Sequence, residues 1–140
     1  MTIVYVDMCG DLLHYGHIRF LENAKKLGNK LIVGIHSNET IESYKRTPVC
    51  TMEERIELVK SVKWVDEVIE NAPLFITEEY IKKHNIDKIA IPKNRTEEEI
   101  KKMCIIPYEK KMLYFIEYTP EISTSMIINR IKERTLKNLI

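Results

Sequence analysis

The chain has 140 residues, enough for one domain with a single hydrophobic core, and we expect residues 1–140 to form one domain. Its 22 Lys and Arg residues nearly balance its 21 Asp and Glu residues, and the formal charge of +1 argues against binding of nucleic acid by overall charge. No apolar run approaches the roughly 20 residues that cross a membrane. The first residues lack the pattern of a secretion signal, and three cysteines without paired spacing are typical of reduced thiols, so we expect a cytoplasmic protein.

Short apolar, β-branched runs alternate with amphipathic stretches along the chain. The runs predict five strands, at residues 2–7, 30–36, 64–69, 88–91 and 111–118. The amphipathic stretches predict five helices, at residues 18–27, 51–62, 77–84, 96–104 and 123–135. Continuous apolar strands separated by helices indicate a parallel sheet that is covered on both faces. With right-handed crossovers, the pattern predicts an α/β, Rossmann-like fold: a doubly wound five-stranded parallel sheet with helices on both faces.

The turn after the first strand carries the strongest chemical signal, and ligands of such sheets bind beyond the carboxyl ends of the strands. The turn holds His14 and His17, three residues apart, with Gly16 between them at the start of a helix. Free N–H groups and the helix dipole favour a phosphate there, and side chains at i and i+3 reach the same side. Gly16 leaves room for a nucleotide. No cysteine or carboxylate stands beside them at metal-ligand spacing, so we expect no metal held by the protein itself.

The turn from Leu12 to His17 resembles the His-x-Gly-His signature of the nucleotidyltransferase superfamily. More narrowly, the chain is similar to the cytidylyltransferases that make CDP-choline, CDP-ethanolamine and CDP-glycerol. The matching stretches keep the family's order and spacing over nearly the whole chain, at residues 30–36, 45–49, 53–55, 63–68 and 122–125. Residues 72–77 resemble the segment typical of the choline and ethanolamine enzymes, which favours a phosphorylated amino alcohol as the acceptor.

The resemblance implies that the acceptor phosphate attacks the α-phosphorus of CTP and that pyrophosphate leaves. The catalytic residues that it implies are His14, His17 and Lys45. The nucleotide-binding residues that it implies are Cys9, Gly10, Asp11, Gly16, His17, Ser123 and Thr124. The acceptor-binding residues that it implies are Lys45, Arg55, Trp64 and Asp66. It also implies Mg²⁺ carried by the nucleotide, partners limited to CTP and a small phosphorylated alcohol without firm membrane binding, and a homodimer.

Some of these positions also have plain structural explanations. Asp11 fits a turn residue, Ser123 fits an ordinary helix cap, and Trp64 fits the core. Lys45 and Arg55 fit solvated charges on the surface.

The sequence departs from the family pattern at several positions. Met8 stands where the family has glycine, and Asn38 replaces an acidic residue. Residues around Pro92 lack the family's histidine and carboxylates, and the segment from Tyr118 lacks a phosphate-binding arginine, for which Lys93 or Arg95 would have to compensate. Two alternatives therefore stay open: a different nucleotide or acceptor, as in an adenylyltransferase or a glycerol-3-phosphate cytidylyltransferase, and a catalytically inactive nucleotide-binding homologue.

Overall fold

A computed structural model describes residues 1–140 and shows a parallel sheet of five strands in the order β3-β2-β1-β4-β5. The strands are β1 Ile3–Met8, β2 Lys30–Ile35, β3 Glu67–Glu70, β4 Lys88–Pro92 and β5 Leu113–Ile116. The helices are α1 Tyr15–Lys25, α2 Asn38–Glu42, α3 Met52–Lys60, α4 Glu78–Lys83, α5 Glu97–Met103, α6 Ile105–Glu109 and α7 Thr124–Leu136. The predicted fold class is confirmed.

The core lies on both faces of the sheet because successive side chains of a strand point to opposite faces. On β1, Val4 and Val6 pack with the buried side of α1 and α3, while Tyr5 between them packs with residues of α4 to α6 on the other face. All three side chains are fully buried. This two-sided burial explains why β1 appears in the sequence as a continuous apolar run.

The chain winds in two directions from β1. It passes through β2 to β3 on one side, and β4 and β5 then form the other side of the sheet. The carboxyl ends of β1 and β4, which are neighbours, therefore border the crevice where the winding reverses. None of the helices combines the length and apolar character that a membrane crossing needs.

Several element boundaries differ from the sequence predictions. Helix α1 begins at Tyr15 rather than at residue 18, and β3 begins at Glu67 rather than at residue 64, so Trp64 lies in the turn before the strand. The sequence predicts neither α2 nor α6, which have five residues each. Helices this short show no full apolar period in the sequence. The start of α2 is stabilised by its cap Ser37, whose side chain accepts a hydrogen bond from Thr40 N.

Candidate functional site

A pocket of about 320 Å³ opens at the carboxyl end of the sheet, beside the turn after β1. Its walls also come from the start of α1, the connection between α2 and α3, the end of β4 and the segment before α7. Most of the sequence-predicted site residues line it: Cys9, Gly10, Asp11, His14, Gly16, His17, Lys45, Ser123 and Thr124. The predicted position of the site therefore coincides with this pocket.

His14 and His17 form a reciprocal cap at the start of α1. The backbone N–H of Gly16 donates to His14 Nδ1, and the backbone N–H of His14 donates to His17 Nδ1, both at 3.1 Å. The two ring centroids are 4.0 Å apart, so the imidazoles lie on the same side of the helix. Because each Nδ1 accepts a backbone hydrogen bond, the proton of each neutral ring is on Nε2. Both rings line the pocket with an Nε2–H donor that the cap does not use.

Both histidines favour the neutral form. Burial lowers the pKa of His14. The pKa of His17 is lowered to about 4, mainly by burial and also by the nearby His14 and Lys45, while Asp11 opposes the shift. At neutral pH the pair therefore consists of hydrogen-bond donors without charge, and the positive charge of the pocket comes from other residues.

Two glycines allow this turn to form. Gly10 has φ +70°, a left-handed conformation that favours glycine. A Cβ on Gly16 would lie 2.9 Å from Cε1 of His14 and 3.1 Å from Cγ2 of Ile122. The space at Gly16, which the sequence interpretation assigned to a nucleotide, is thus occupied by the His14 ring and the segment before α7. Gly16 positions the catalytic candidate His14.

Asp11 connects the turn to the α2–α3 connection. Its carboxylate accepts hydrogen bonds from the backbone N–H groups of Val49, at 2.9 Å, and Cys50, at 2.8 Å. Burial alone would raise the pKa of Asp11, but these hydrogen bonds and the charge of Arg46 outweigh it, so the pKa is lowered. Asp11 acts as a charged anchor between the turn and the α2–α3 connection.

A second helix start faces the pocket at α7. Ser123 caps α7, its side chain accepting from Met126 N at 3.1 Å, and the hydroxyl of Thr124 donates to the carbonyl of Asp11 at 3.3 Å. The hydroxyls thus have structural partners, while Ser123 and Thr124, at the start of this 13-residue helix, line the pocket. Two helix dipoles, those of α1 and α7, are directed there.

Arg55 is placed differently from its expected acceptor-binding role. The side chain is fully buried, and its guanidinium donates to the carbonyls of Cys9, at 2.6 Å, and His36, at 2.9 Å. It also donates to Oδ1 of Asn38 at 2.6 Å. Arg55 does not line the pocket; it links the segments that follow β1 and β2, so its observed role is structural.

Trp64 and Asp66, also expected at the acceptor, lie away from the pocket. Asp66 accepts a hydrogen bond from the backbone N–H of Leu31 at 2.7 Å and forms an ion pair with Lys25. Leu31 is near the amino end of β2, whereas the pocket lies at the carboxyl ends. Trp64 is half-buried and packs against the core, which agrees with its structural alternative. The strands separate both residues from the pocket, so the structure does not bring these two predicted acceptor residues to it.

The pocket also contains residues outside the predicted catalytic and binding sets. His36 ends the apolar run of β2, and Tyr44 follows α2. Arg46 and Arg95 add two positive charges to the lining, whereas Lys93 is exposed and pairs with Glu117 at 2.8 Å. Of the two proposed compensating cations, Arg95 is the one at the pocket. In the sequence, the position of Arg95 shortly after the end of β4 was the feature that indicated its place at the pocket.

Metal binding by the protein itself has little support in the donor set. No three His, Cys, Asp or Glu side chains come together in a group that could hold a metal ion. The carboxylates that line the pocket are Asp7 and Asp11, and Asp11 already accepts two backbone hydrogen bonds. A Mg²⁺ ion at this site would depend mainly on phosphate oxygens and water for its ligands.

Residues 9–130 match the model of a family described as cytidylyltransferase-like. An ethanolamine-phosphate cytidylyltransferase of Arabidopsis thaliana is 51% identical over 80 residues, which are 57% of this chain and 19% of that protein. The chain thus spans about a fifth of the length of this curated relative. An FAD synthase of Thermococcus sibiricus is 38% identical over 136 residues, which cover 88% of this chain and 87% of that protein. A lipopolysaccharide core biosynthesis protein of Thermoplasma volcanium has a similar structure, with a TM-score of 0.68, 23% identity and coverage of 85% of this chain and 97% of that one.

Proposed function

Because the chain belongs to the cytidylyltransferase-like family, we propose that it transfers a cytidylyl group from CTP to a phosphorylated amino alcohol. Pyrophosphate leaves, and the product is a CDP-alcohol for phospholipid synthesis. Phosphoethanolamine is the first choice of acceptor, because several curated relatives at about 50% identity are ethanolamine-phosphate cytidylyltransferases. The family resemblance expected from the sequence is confirmed, while the substrates of this chain are our proposal.

The observation that carries the proposal is the reciprocal cap of His14 and His17. The acceptor phosphate attacks the α-phosphorus in line with the departing pyrophosphate, and negative charge on the phosphoryl oxygens rises or shifts in the transition state. Two neutral Nε2–H groups, already oriented by the cap, donate to these oxygens without needing to reorganise. The N-terminus of α1 adds its dipole to the same anion. No proton transfer or covalent intermediate is required of the protein.

Cations around the pocket complete the site. Lys45 and Arg46 approach from the α2–α3 connection and Arg95 from the end of β4, which suits a triphosphate and an acceptor phosphate together. We propose that Arg95 replaces the arginine that the segment from Tyr118 lacks. The N-terminus of α7, at Ser123 and Thr124, is suited to the β- and γ-phosphates.

The nucleotide brings Mg²⁺ in this proposal, and the ion neutralises part of the phosphate charge when bound. The chain's own residues then contribute donors and cations rather than a metal cage. A homodimer in the cytoplasm remains the expectation from the resemblance and the cysteine content; sedimentation of the purified protein at several concentrations tests the dimer.

A pyrophosphate-release assay with every combination of CTP or ATP and four acceptors tests the function. The acceptors are phosphoethanolamine, phosphocholine, glycerol 3-phosphate and flavin mononucleotide. The proposal predicts the highest kcat/KM for CTP with phosphoethanolamine, a large loss in His14→Asn, and little change in the control His84→Asn, which lies outside the pocket. Absence of turnover, together with absence of heat on titrating CTP or ATP to millimolar concentration, would indicate a homologue without this activity.

Adenylyl transfer from ATP to a flavin phosphate is the second candidate. The FAD synthase alignment favours it, since it extends over nearly the full length of both chains, whereas the cytidylyltransferase alignments cover about 60% of this one. Preferred turnover of ATP with flavin mononucleotide would decide for this candidate.

A further inference from the structure

The pocket is bordered by a segment whose own hydrogen bonds are few. We call residues 45–48 the strap: it follows α2, and Lys45, Arg46 and Pro48 line the pocket. The backbone N–H groups of Arg46 and Thr47 donate no hydrogen bond within the protein, and proline has none to donate. The position of the strap is therefore set by the residues at its two ends.

The far end of the strap is held by the charged anchor described above. The carboxylate of Asp11 accepts the N–H groups of Val49 and Cys50, directly after the strap. These two hydrogen bonds to a charged acceptor hold that end to the turn that carries His14 and His17. They do not reach the side chain of Lys45, at the opposite end of the strap.

At the near end, the backbone N–H of Lys45 donates to the carbonyl of Ile41 in α2 at 2.9 Å, and the side chain of Tyr44 adds a second attachment. Its hydroxyl lies 2.9 Å from Nδ1 of His36, and the two rings meet edge to face, with centroids 5.9 Å apart and an angle of 87°. His36 is only 4% exposed, at the carboxyl end of β2, so it is a rigid attachment point. The ammonium of Lys45 lies 5.8 Å from the centroid of the Tyr44 ring, within the range of a cation–π contact. Tyr44 thus touches both the sheet and the Lys45 side chain.

His36 has no other strong polar partner. Its Nε2 makes no hydrogen bond, and the nearest carboxylate oxygen, Oδ2 of Asp7, is 3.5 Å away. The bond to Tyr44 is therefore the main directional contact between this buried imidazole and the α2 segment. Neither His36 nor Tyr44 has another role in the site described above.

We propose that Tyr44 is a positioning residue, which holds Lys45 over the pocket through its hydrogen bond to buried His36. The proposal rests on the proposed function insofar as Lys45 contacts the reacting phosphates. Tyr44 and His36 then act through Lys45 and do not touch the substrates themselves. The hydroxyl of Tyr44 is the decisive atom, since phenylalanine would keep the ring beside the Lys45 ammonium.

Limited proteolysis tests the holding role without any need for activity. Trypsin cleaves after Lys45 and Arg46, within the strap, and such cleavage follows the population of the open segment. Loss of one hydrogen bond in Tyr44→Phe is expected to raise the cleavage rate there about fivefold. Cleavage after Arg134, in the exposed end of α7, provides an internal reference. Tyr108→Phe, at an exposed tyrosine of α6, is the matched control and should cleave like wild type.

A double-mutant cycle tests whether Tyr44 acts through Lys45. Tyr44→Phe is expected to lower kcat about five- to tenfold, whereas in a Lys45→Met background the same change should alter kcat by less than about twofold. Equal effects in both backgrounds would show that Tyr44 acts independently of Lys45 and would overturn the proposal. So would a strap cleavage rate in Tyr44→Phe equal to that of wild type.

The two experiments also separate this proposal from the proposed function. If wild type turns over none of the nucleotide and acceptor pairs, the proposed function fails, and the coupling of Tyr44 to catalysis fails with it. The trypsin comparison then decides alone whether Tyr44 holds the strap. Thermal unfolding of each variant, run in parallel, ensures that cleavage is compared between folded proteins.

Discussion

Replacing Arg55 with methionine is expected to destabilise the protein strongly, although an arginine in the first turns of a helix is usually a solvated residue. The substitution keeps an unbranched side chain in a fully buried space but removes every donor. The carbonyls of Cys9 and His36 and Oδ1 of Asn38 then lose their partners. The change acts on the segments after β1 and β2 together.

The expected loss follows from these three acceptors. Each buried polar group left without its partner lowers the free energy of unfolding by about 1–3 kcal/mol. Removal of the buried charge offsets part of this loss. We therefore expect the free energy of unfolding to fall by about 3 kcal/mol, with Arg55→Lys only slightly better because one ammonium cannot reach all three oxygens. A change of this size lowers the midpoint of thermal unfolding by roughly 10 °C in a domain of this length.

Urea unfolding followed by circular dichroism measures this loss, with Arg130→Met on the exposed side of α7 as the control. The control should stay within about 0.5 kcal/mol of wild type. A loss below about 1 kcal/mol in Arg55→Met would refute the structural role. If stability stayed unchanged while KM for the acceptor rose more than about tenfold, the acceptor-binding interpretation from the sequence would be restored.

Three further predictions concern the pocket. His17→Asn keeps an oxygen in place of Nδ1 and thus keeps the cap, so kcat should fall about 100-fold or more with little change in stability. His17→Ala removes the cap as well and should also lose about 1 kcal/mol of unfolding free energy. The pKa of His17 is lowered from 6.5 to about 4 in the folded protein, so the neutral ring stabilises the fold. This stability is fully present above pH 6.5 and is lost as the pH falls towards 4. Urea midpoints measured across this range should therefore depend less on pH in His17→Asn than in wild type. Asp11→Asn can accept at one oxygen only and carries no charge, so trypsin cleavage after Arg46 should increase several-fold while cleavage after Arg134 stays unchanged.

Much of the fold follows from local pattern in the sequence. Strands β1, β2 and β4 are buried on both faces, and this gives apolar runs that no amphipathic helix would show. Because the strands are parallel, the turn after β1 falls at the ligand-binding edge, which brings the two histidines to the pocket. Local sequence and the general rule for such sheets were sufficient for both predictions.

The misplaced residues share a different cause. Arg55 is separated by 46 residues from Cys9 and by 19 from His36 along the chain, so its burial depends on contacts that local spacing does not encode. Asp66 likewise pairs with Leu31 and Lys25 across the amino end of the sheet. A charged residue near a matching motif was interpreted as ligand-binding, whereas tertiary contacts use its hydrogen bonds to hold the backbone.

The cap at the start of α1 links folding of that helix to the chemistry of the site. Each histidine uses Nδ1 to satisfy a backbone N–H that the helix would otherwise leave without a partner. Formation of the helix therefore selects the Nε2–H tautomer and orients both rings without any bound ligand. Burial reinforces the choice, since it disfavours the doubly protonated ring. In the proposed reaction, donors oriented in this way would require no rearrangement as charge develops on the phosphate. Two uncharged imidazoles, rather than two more cations, therefore suit the centre of an already positive pocket.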